Sequence, residues 1–190
     1  EGLSRVLYMT SYSESYESYH DKPHNVVSGI KITGGMSEQG GGMSTWSYRT
    51  NVNDVLITNN MSTREGGGIY LANFGANGTG WNIDQVRFDN ITISNNTSCN
   101  GGGMYLDGTD NPIFIDVDII NNIATDLETI CYNDPRGGGI YFYSSSPSMT
   151  GGTISYNEVI MTNSPNAEMP EIFGGGGGLY LAHTAHPILK

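Results

Sequence analysis

The chain has 190 residues, 37% hydrophobic and only 14% charged, with 27 glycines, which is enough for one domain with its own core. Its formal net charge of −11, with 8 Lys and Arg in all, argues against nucleic acid as a partner, because phosphate contacts need clustered cations. The same charge disfavours adhesion to anionic membrane, and no apolar run approaches the roughly 18 residues of a spanning helix, so no membrane insertion is expected in this segment.

Low charge with abundant Gly, Asn, Ser and Thr favours strands joined by tight corners over helices. The chain starts without Met or a signal peptide, and Lys190 falls inside a repeat. It therefore reads as a segment of a larger protein.

Residues 1–24 are the least regular part and read as an incomplete preceding rung followed by a surface loop. Arg5 to Met9 has the makings of one strand, while Ser11 to His24 is polar and rich in Tyr. His20 and His24 lack an evident third ligand, so no metal site is assigned there.

From Asn25 onward two phrases alternate. The first is Ile32-Thr33-Gly34-Gly35, then Ile57-Thr58-Asn59-Asn60, Ile93-Ser94-Asn95-Asn96, Ile119-Ile120-Asn121-Asn122 and Ile154-Ser155-Tyr156-Asn157. The second is a glycine run followed by alternating apolar, Tyr and apolar residues. It appears at Gly40–Met43, Gly66–Leu71, Gly101–Leu106, Gly137–Phe142 and Gly176–Leu181. Glycine marks a corner, and a period of two marks a half-buried strand.

The last Gly of a run precedes the next Ile by 15, 25, 16 and 15 residues, and each Ile precedes the end of its own run by 10, 11, 10, 20 and 24. The minimal unit is 25–26 residues, with insertions confined to two places, as in a repeat structure. Counting back from Ile57, Ile93 and Ile119 gives the pairs Val52/Val55, Phe88/Ile91 and Phe114/Val117, spaced by three rather than two. That spacing predicts a bend between two short strands. Each unit then holds three strands, one after the Gly run and two flanking the bend.

Such a unit cannot bury its own apolar stripe, so copies must stack along an axis with parallel pairing. The expected interior columns are Ile32, Ile57, Ile93, Ile119, Ile154; Met43, Ile69, Met104, Ile140, Leu179; and Leu71, Leu106, Phe142, Leu181. Asn60, Asn96, Asn122 and Asn157 share one position, which predicts a buried amide ladder; the alternative is a simple turn residue with a left-handed backbone.

The alternation of Gly-Gly-Gly-φ-Tyr with φ-x-x-Asn resembles the repeats of right-handed parallel β-helix proteins, especially the polymorphic outer-membrane-protein type of bacterial surface adhesins. Those repeats use a Gly-Gly-Ala-Ile-like and a Phe-x-x-Asn phrase; here Gly replaces the Ala, and Ile57, Ile93, Ile119 and Ile154 replace the Phe. The resemblance covers residues 25–190. It implies an all-β, right-handed, single-stranded parallel β-helix (a solenoid) of about five rungs of three short strands with loop insertions. It says little of activity, since one coil hosts many functions.

Several residues are candidates for sites. Cys99 and Cys131 lie in equivalent segments of adjacent rungs, so stacking predicts a disulfide and an oxidising compartment; the alternative is two unrelated buried thiols. Tyr70, Tyr105, Tyr141 and Tyr180 alternate with inward residues and form an outward column. Their column is either a stacking ladder or, with Phe74 and Trp81 of the neighbouring insertion, a binding platform for sugar rings or a protein.

Asp107-Gly108-Thr109-Asp110-Asn111 has oxygen ligands for Ca²⁺, but its residues are equally ordinary turn chemistry, so no cofactor is assigned. Asp84 with Asp89, or Asp116 with Asp118, are the carboxylate pairs available for glycoside hydrolysis. Arg64, Arg87 and Arg136 are isolated and do not form the Arg and Lys constellation of pectate lyases.

The expected function is a non-catalytic segment of a secreted or cell-surface bacterial protein, in adhesion or as an extracellular stalk. Its loops 72–85, 123–136 and 158–173 would present contacts to a glycan or a surface protein. Two alternatives stay open: a polysaccharide-degrading lyase or glycoside hydrolase on the same coil, and a fibre-forming subunit that self-associates end to end.

Overall fold

The computed structural model of the chain describes residues 4–10, 25–46, 50–72, 86–108, 112–126, 131, 134–161 and 175–190. The expected surface loop Ser11 to His24 lies outside these residues, as do 73–85, 109–111 and 162–174. Among the described residues the chain is all-β and forms three sheets, visited in turn. Every strand pair in them is parallel, and each strand lies beside its counterpart from the preceding or following lap. This is the connectivity of a β-solenoid.

The first sheet collects the strands that follow the glycine runs: Leu7–Thr10, Met43–Trp46, Ile69–Ala72, Met104–Asp107, Ile140–Tyr143 and Leu179–Ala182, in that order. Leu7 pairs with Met43, so the N-terminal strand belongs to a lap preceding the first glycine run. The second sheet holds the longest strands, Thr50–Thr58, Arg87–Ser94 and Ile113–Ile120, flanked by Asn25–Ser28 with Lys31–Thr33 on one side and by Ser148–Thr150 with Ile154–Ser155, then Ile188–Leu189, on the other.

The expected bend exists, but its two halves belong to this one sheet. Asp54, Asn90 and Asp116 sit at the bend with φ of 53°, 51° and 49°, and pairing continues on both sides of them. A single left-handed residue turns the strand without ending its ladder.

The third sheet was not anticipated. It consists of Met36–Gln39, Met61–Glu65, Thr97–Ser98, Ile123–Thr125 and Glu158–Ile160, directly after the Asn corner. Its inward side chains include Ser37, Ser62, Ser98 and Ala124, all buried. Side chains this small leave no apolar pattern in the sequence.

Three columns fill the interior. Ile32, Ile57, Ile93, Ile119 and Ile154 pair in register, and Ile57, Ile93 and Ile119 are fully buried. Met43, Ile69, Met104, Ile140 and Leu179 form a second column. Leu71, Leu106, Phe142 and Leu181 form a third, although Leu181 is 50% exposed because its strand edges the sheet. Phe88 and Phe114 stack at 5.2 Å beneath the bend. Each well-buried side chain contributes roughly 1.5–3 kcal/mol, so these columns dominate the stability of the coil.

At the corner after the second sheet the amides form a continuous ladder. The backbone N–H and Nδ2 of Asn60 both donate to Asn96 Oδ1 at 3.0 Å. Asn96 does the same to Asn122 Oδ1 at 3.0 Å, and Asn122 to Asn157 Oδ1 at 2.9 and 3.0 Å. Each Nδ2 also donates to the preceding lap's Ile carbonyl, from Asn60 to Ile32, Asn96 to Ile57, Asn122 to Ile93 and Asn157 to Ile119. Gly35 occupies the same position in the first lap and donates its N–H to Asn60 Oδ1.

The left-handed residue is the one before the ladder, not the ladder Asn itself. Asn59, Asn95 and Asn121 have φ of 55°. Gly34 fills that place in the first lap and Tyr156 in the last, with φ of 75° and 54°. In the opposite corner the middle glycines are required by space: a Cβ on Gly67 would collide with the backbone carbonyls of Thr97 and Gly102, and one on Gly102 with those of Ile123 and Gly138.

Two substitutions test these corners. Asn96→Ala removes the acceptor of the Asn60 backbone N–H, one acceptor of the Asn60 amide and one of the two donors to Asn122 Oδ1, all at buried positions, and should cost about 3 kcal/mol in urea unfolding. Tyr156→Asn should do the opposite. Tyr156 is 80% exposed, so little packing is lost, and relief of its left-handed backbone should raise stability by about 1 kcal/mol.

Candidate functional site: an aromatic ladder and its polar edge

In the strands that follow the glycine runs, alternation sends Ile69 and Leu71 into the coil and Tyr70 outward. Parallel register then lays Tyr70, Tyr105, Tyr141 and Tyr180 side by side. Their rings stack at 5.7, 4.7 and 4.9 Å with interplanar angles of 14°, 7° and 25°. The equivalent of Tyr70 in the preceding lap is Ser44, and there Trp46 extends the row, 6.0 Å from the Tyr70 ring. The Trp46 indole N–H donates to Ser44 Oγ at 3.2 Å.

The column points outward as expected, but it is not an exposed platform. Tyr70, Tyr105 and Tyr141 are 2%, 8% and 7% exposed. Each ring face is taken by the neighbouring ring, and Ala72, Tyr143 and Ala182 pack against the same cluster. A sugar ring therefore has no free face on the middle of the ladder. Tyr180 and Trp46, at the two ends, remain partly open. Phe74 and Trp81, expected to widen the platform, lie outside the described residues.

The hydroxyl edge of the ladder meets a row of polar residues that directly precede the glycine runs: Gln39, Glu65, Asn100 and Arg136. Gln39 Nε2 donates to Glu65 Oε2 at 2.6 Å. The Tyr70 hydroxyl donates to Asp107 Oδ2 at 2.9 Å. Burial first, then the Asp107 charge, pushes the Tyr70 phenol well above its usual range. Burial, with the Glu65 and Asp107 charges, does the same to Tyr105. Tyr141 is also raised by burial, opposed by a hydrogen bond and the charge from Arg136. The Arg136 guanidinium lies over the Tyr180 ring at 5.2 Å from its centroid, a cation–π contact. Trp46, Asp107 and Arg136 were not singled out as partners of the tyrosines; only their positions relative to the glycine runs hint at it.

Cys99 and Cys131 form a disulfide, with Cα atoms 5.7 Å apart across 32 residues of chain. Cys99 is buried directly after Thr97–Ser98 of the third sheet, and the bond ties the insertion that follows Thr125 to the wall of the coil.

The other candidates are dispersed. Asp89 pairs with Arg87 Nη2 at 2.7 Å on the outer face of the second sheet. Asp116 occupies the bend, and Asp118 accepts from Thr153 Oγ1 at 2.8 Å. Asp84 lies outside the described residues, and so do Thr109, Asp110 and Asn111 of the Ca²⁺ candidate and the pair His20 and His24. Asp107, the remaining acid of that candidate, is engaged by Tyr70. His183 packs edge-on against Tyr143 at 4.3 Å.

Comparison with known proteins gives one family finding. The Chlamydia polymorphic membrane protein (Chlamydia_PMP) repeat matches residues 54–72. That stretch runs from the bend at Asp54 through Ile57, the Asn60 corner, the third-sheet strand, Gly66–Gly68 and the strand Ile69–Ala72. No curated protein and no solved structure matches the chain.

The disulfide should be a measurable part of stability. Replacing both cysteines by Ser should cost about 2–4 kcal/mol, and dithiothreitol should lower the stability of the wild type to the same level while leaving the double variant unchanged.

Proposed function

We propose that this chain is a stretch of the shaft of a bacterial cell-surface protein, a non-catalytic coil of polymorphic-membrane-protein-type repeats that acts as a stiff spacer and contact surface in adhesion. The observation that carries the reading is the match of residues 54–72 to that repeat, on a stretch that passes through all three walls of the coil. The coil is right-handed in this reading, the sense that crossovers between parallel strands of one sheet overwhelmingly adopt.

Two further features support it. A disulfide persists in oxidising surroundings, outside the cytosol. The stabilising contacts are also distributed evenly along the axis as columns and ladders, which suits a shaft that must resist bending. Partners of the adhesive kind, a glycan or another surface protein, would be met by the insertions and by the partly open ends of the aromatic row.

The test has two arms. Antibodies raised against this chain should label intact cells of the source bacterium without permeabilisation, and protease added to those cells should remove the signal. The purified chain, incubated with a panel of acidic and neutral polysaccharides, should release neither reducing ends nor unsaturated products. Robust turnover would replace the shaft by a polysaccharide-degrading enzyme, and labelling only after permeabilisation would remove it from the surface.

A further inference from the structure

The aromatic row has a chemistry that neither a spacer nor an adhesive surface needs. It runs without a gap from Trp46 through Tyr70, Tyr105 and Tyr141 to Tyr180, with ring centroids 6.0, 5.7, 4.7 and 4.9 Å apart. Rings in such contact exchange an electron faster than a buried radical is lost to solvent. The two ends are partly open, while the three rings between them are buried. Trp and Tyr are also the side chains that give up one electron most readily after thiolates.

A phenol loses its proton when it is oxidised, so the resting place of an electron vacancy is the ring with a base at hand. Among the described residues Tyr70 is the one phenol of the row whose hydroxyl donates to a carboxylate, Asp107 Oδ2 at 2.9 Å. It is also the least exposed of the four, at 2%. Tyr141 has the opposite surroundings: the Arg136 cation lies against it and disfavours any gain of positive charge. The row therefore slopes electrically from the Arg136 end toward the acidic end that holds Asp107 and Glu65.

We propose that this ladder collects one-electron oxidations at Trp46 and Tyr180 and holds them at Tyr70, as a radical sink for the coil. The oxidant is of the carbonate-, peroxyl- or metal-centred one-electron class met outside cells. It takes one electron from an end ring and leaves as its reduced form, with no atom transferred. The vacancy passes to Tyr70, the phenolic proton moves to Asp107 Oδ2, and the products are a neutral tyrosyl radical and a protonated carboxyl. No bond is broken other than the O–H of Tyr70. The gain for the protein is that the methionines and the disulfide are spared.

The experiment uses the purified, disulfide-intact chain with photogenerated tris(bipyridine)ruthenium(III) as the one-electron oxidant and persulfate as the terminal electron acceptor, read by electron paramagnetic resonance. Wild type should give a tyrosyl signal that long outlasts those of exposed tyrosines. Tyr70→Phe keeps the stacked ring and should lose the long-lived signal. Asp107→Asn should form the radical less readily and lose it faster. An unchanged yield and lifetime in Tyr70→Phe would overturn the proposal, since the variant preserves the packing. So would wild-type behaviour in Asp107→Asn, or accumulation of dityrosine between Tyr105 and Tyr141, which would place the vacancy in the middle of the row.

Discussion

The constraint on which the molecule depends is in-register parallel stacking of one lap on the next. A single lap has an apolar stripe and no partner for it. Only when Ile57 lies over Ile93, and Ile93 over Ile119, do these side chains leave water together. The same register brings like polar residues together, and whether that helps depends on chemistry. An Asn amide is both donor and acceptor, so identical copies satisfy each other, as Asn60, Asn96, Asn122 and Asn157 do. A column of carboxylates would repel itself, and the long charged columns are accordingly broken: Glu65, Asn100 and Arg136 succeed one another at one position.

Insertions are tolerated because they enter where the register is not being read. The corner between the second and third sheets carries the Asn ladder and receives none, whatever the length of the lap. Insertions enter before the glycine runs or after the strands that follow them. Both places flank the first sheet, the one that bears the aromatic row. Variation in length is thus concentrated around one wall, while the other two keep the laps aligned. The disulfide belongs to this logic, since Cys131 lies in an inserted segment and Cys99 in the wall beside it.

Much of this was legible in the chain. Large β-branched residues at a fixed spacing announce the columns, and the glycine runs announce the corner. The paired cysteines followed from placing two equivalent segments in adjacent laps. The third sheet was not legible, because Ser62, Ser98 and Ala124 are too small to register as an apolar period. The bend was read as the end of a strand because a step of three breaks the alternation; at Asp54, Asn90 and Asp116 a left-handed backbone absorbs the odd residue and pairing goes on. The outward direction of the tyrosines was legible and their burial was not. Alternation gives the side of the sheet, whereas burial comes from rings covering one another once stacked.

One feature of the glycine corner gives the coil a polarity along its length. The N–H groups of Gly66, Gly67, Gly68 and Ile69 all donate forward to carbonyls of the lap above them, and those of Gly101, Gly102, Gly103 and Met104 do the same in turn. Peptide units so aligned sum their dipoles at this corner, as they do in a helix, whereas after the Asn corner the N–H groups of Met61, Thr97 and Ile123 donate back to Gly35, Asn60 and Asn96 of the lap before. At the glycine corner a lap therefore meets a row of donors on the lap before it and offers a like row to the next. Each lap thus offers its successor donors at the glycine corner and carbonyls at the Asn corner, a pairing that only a turn in the right register satisfies.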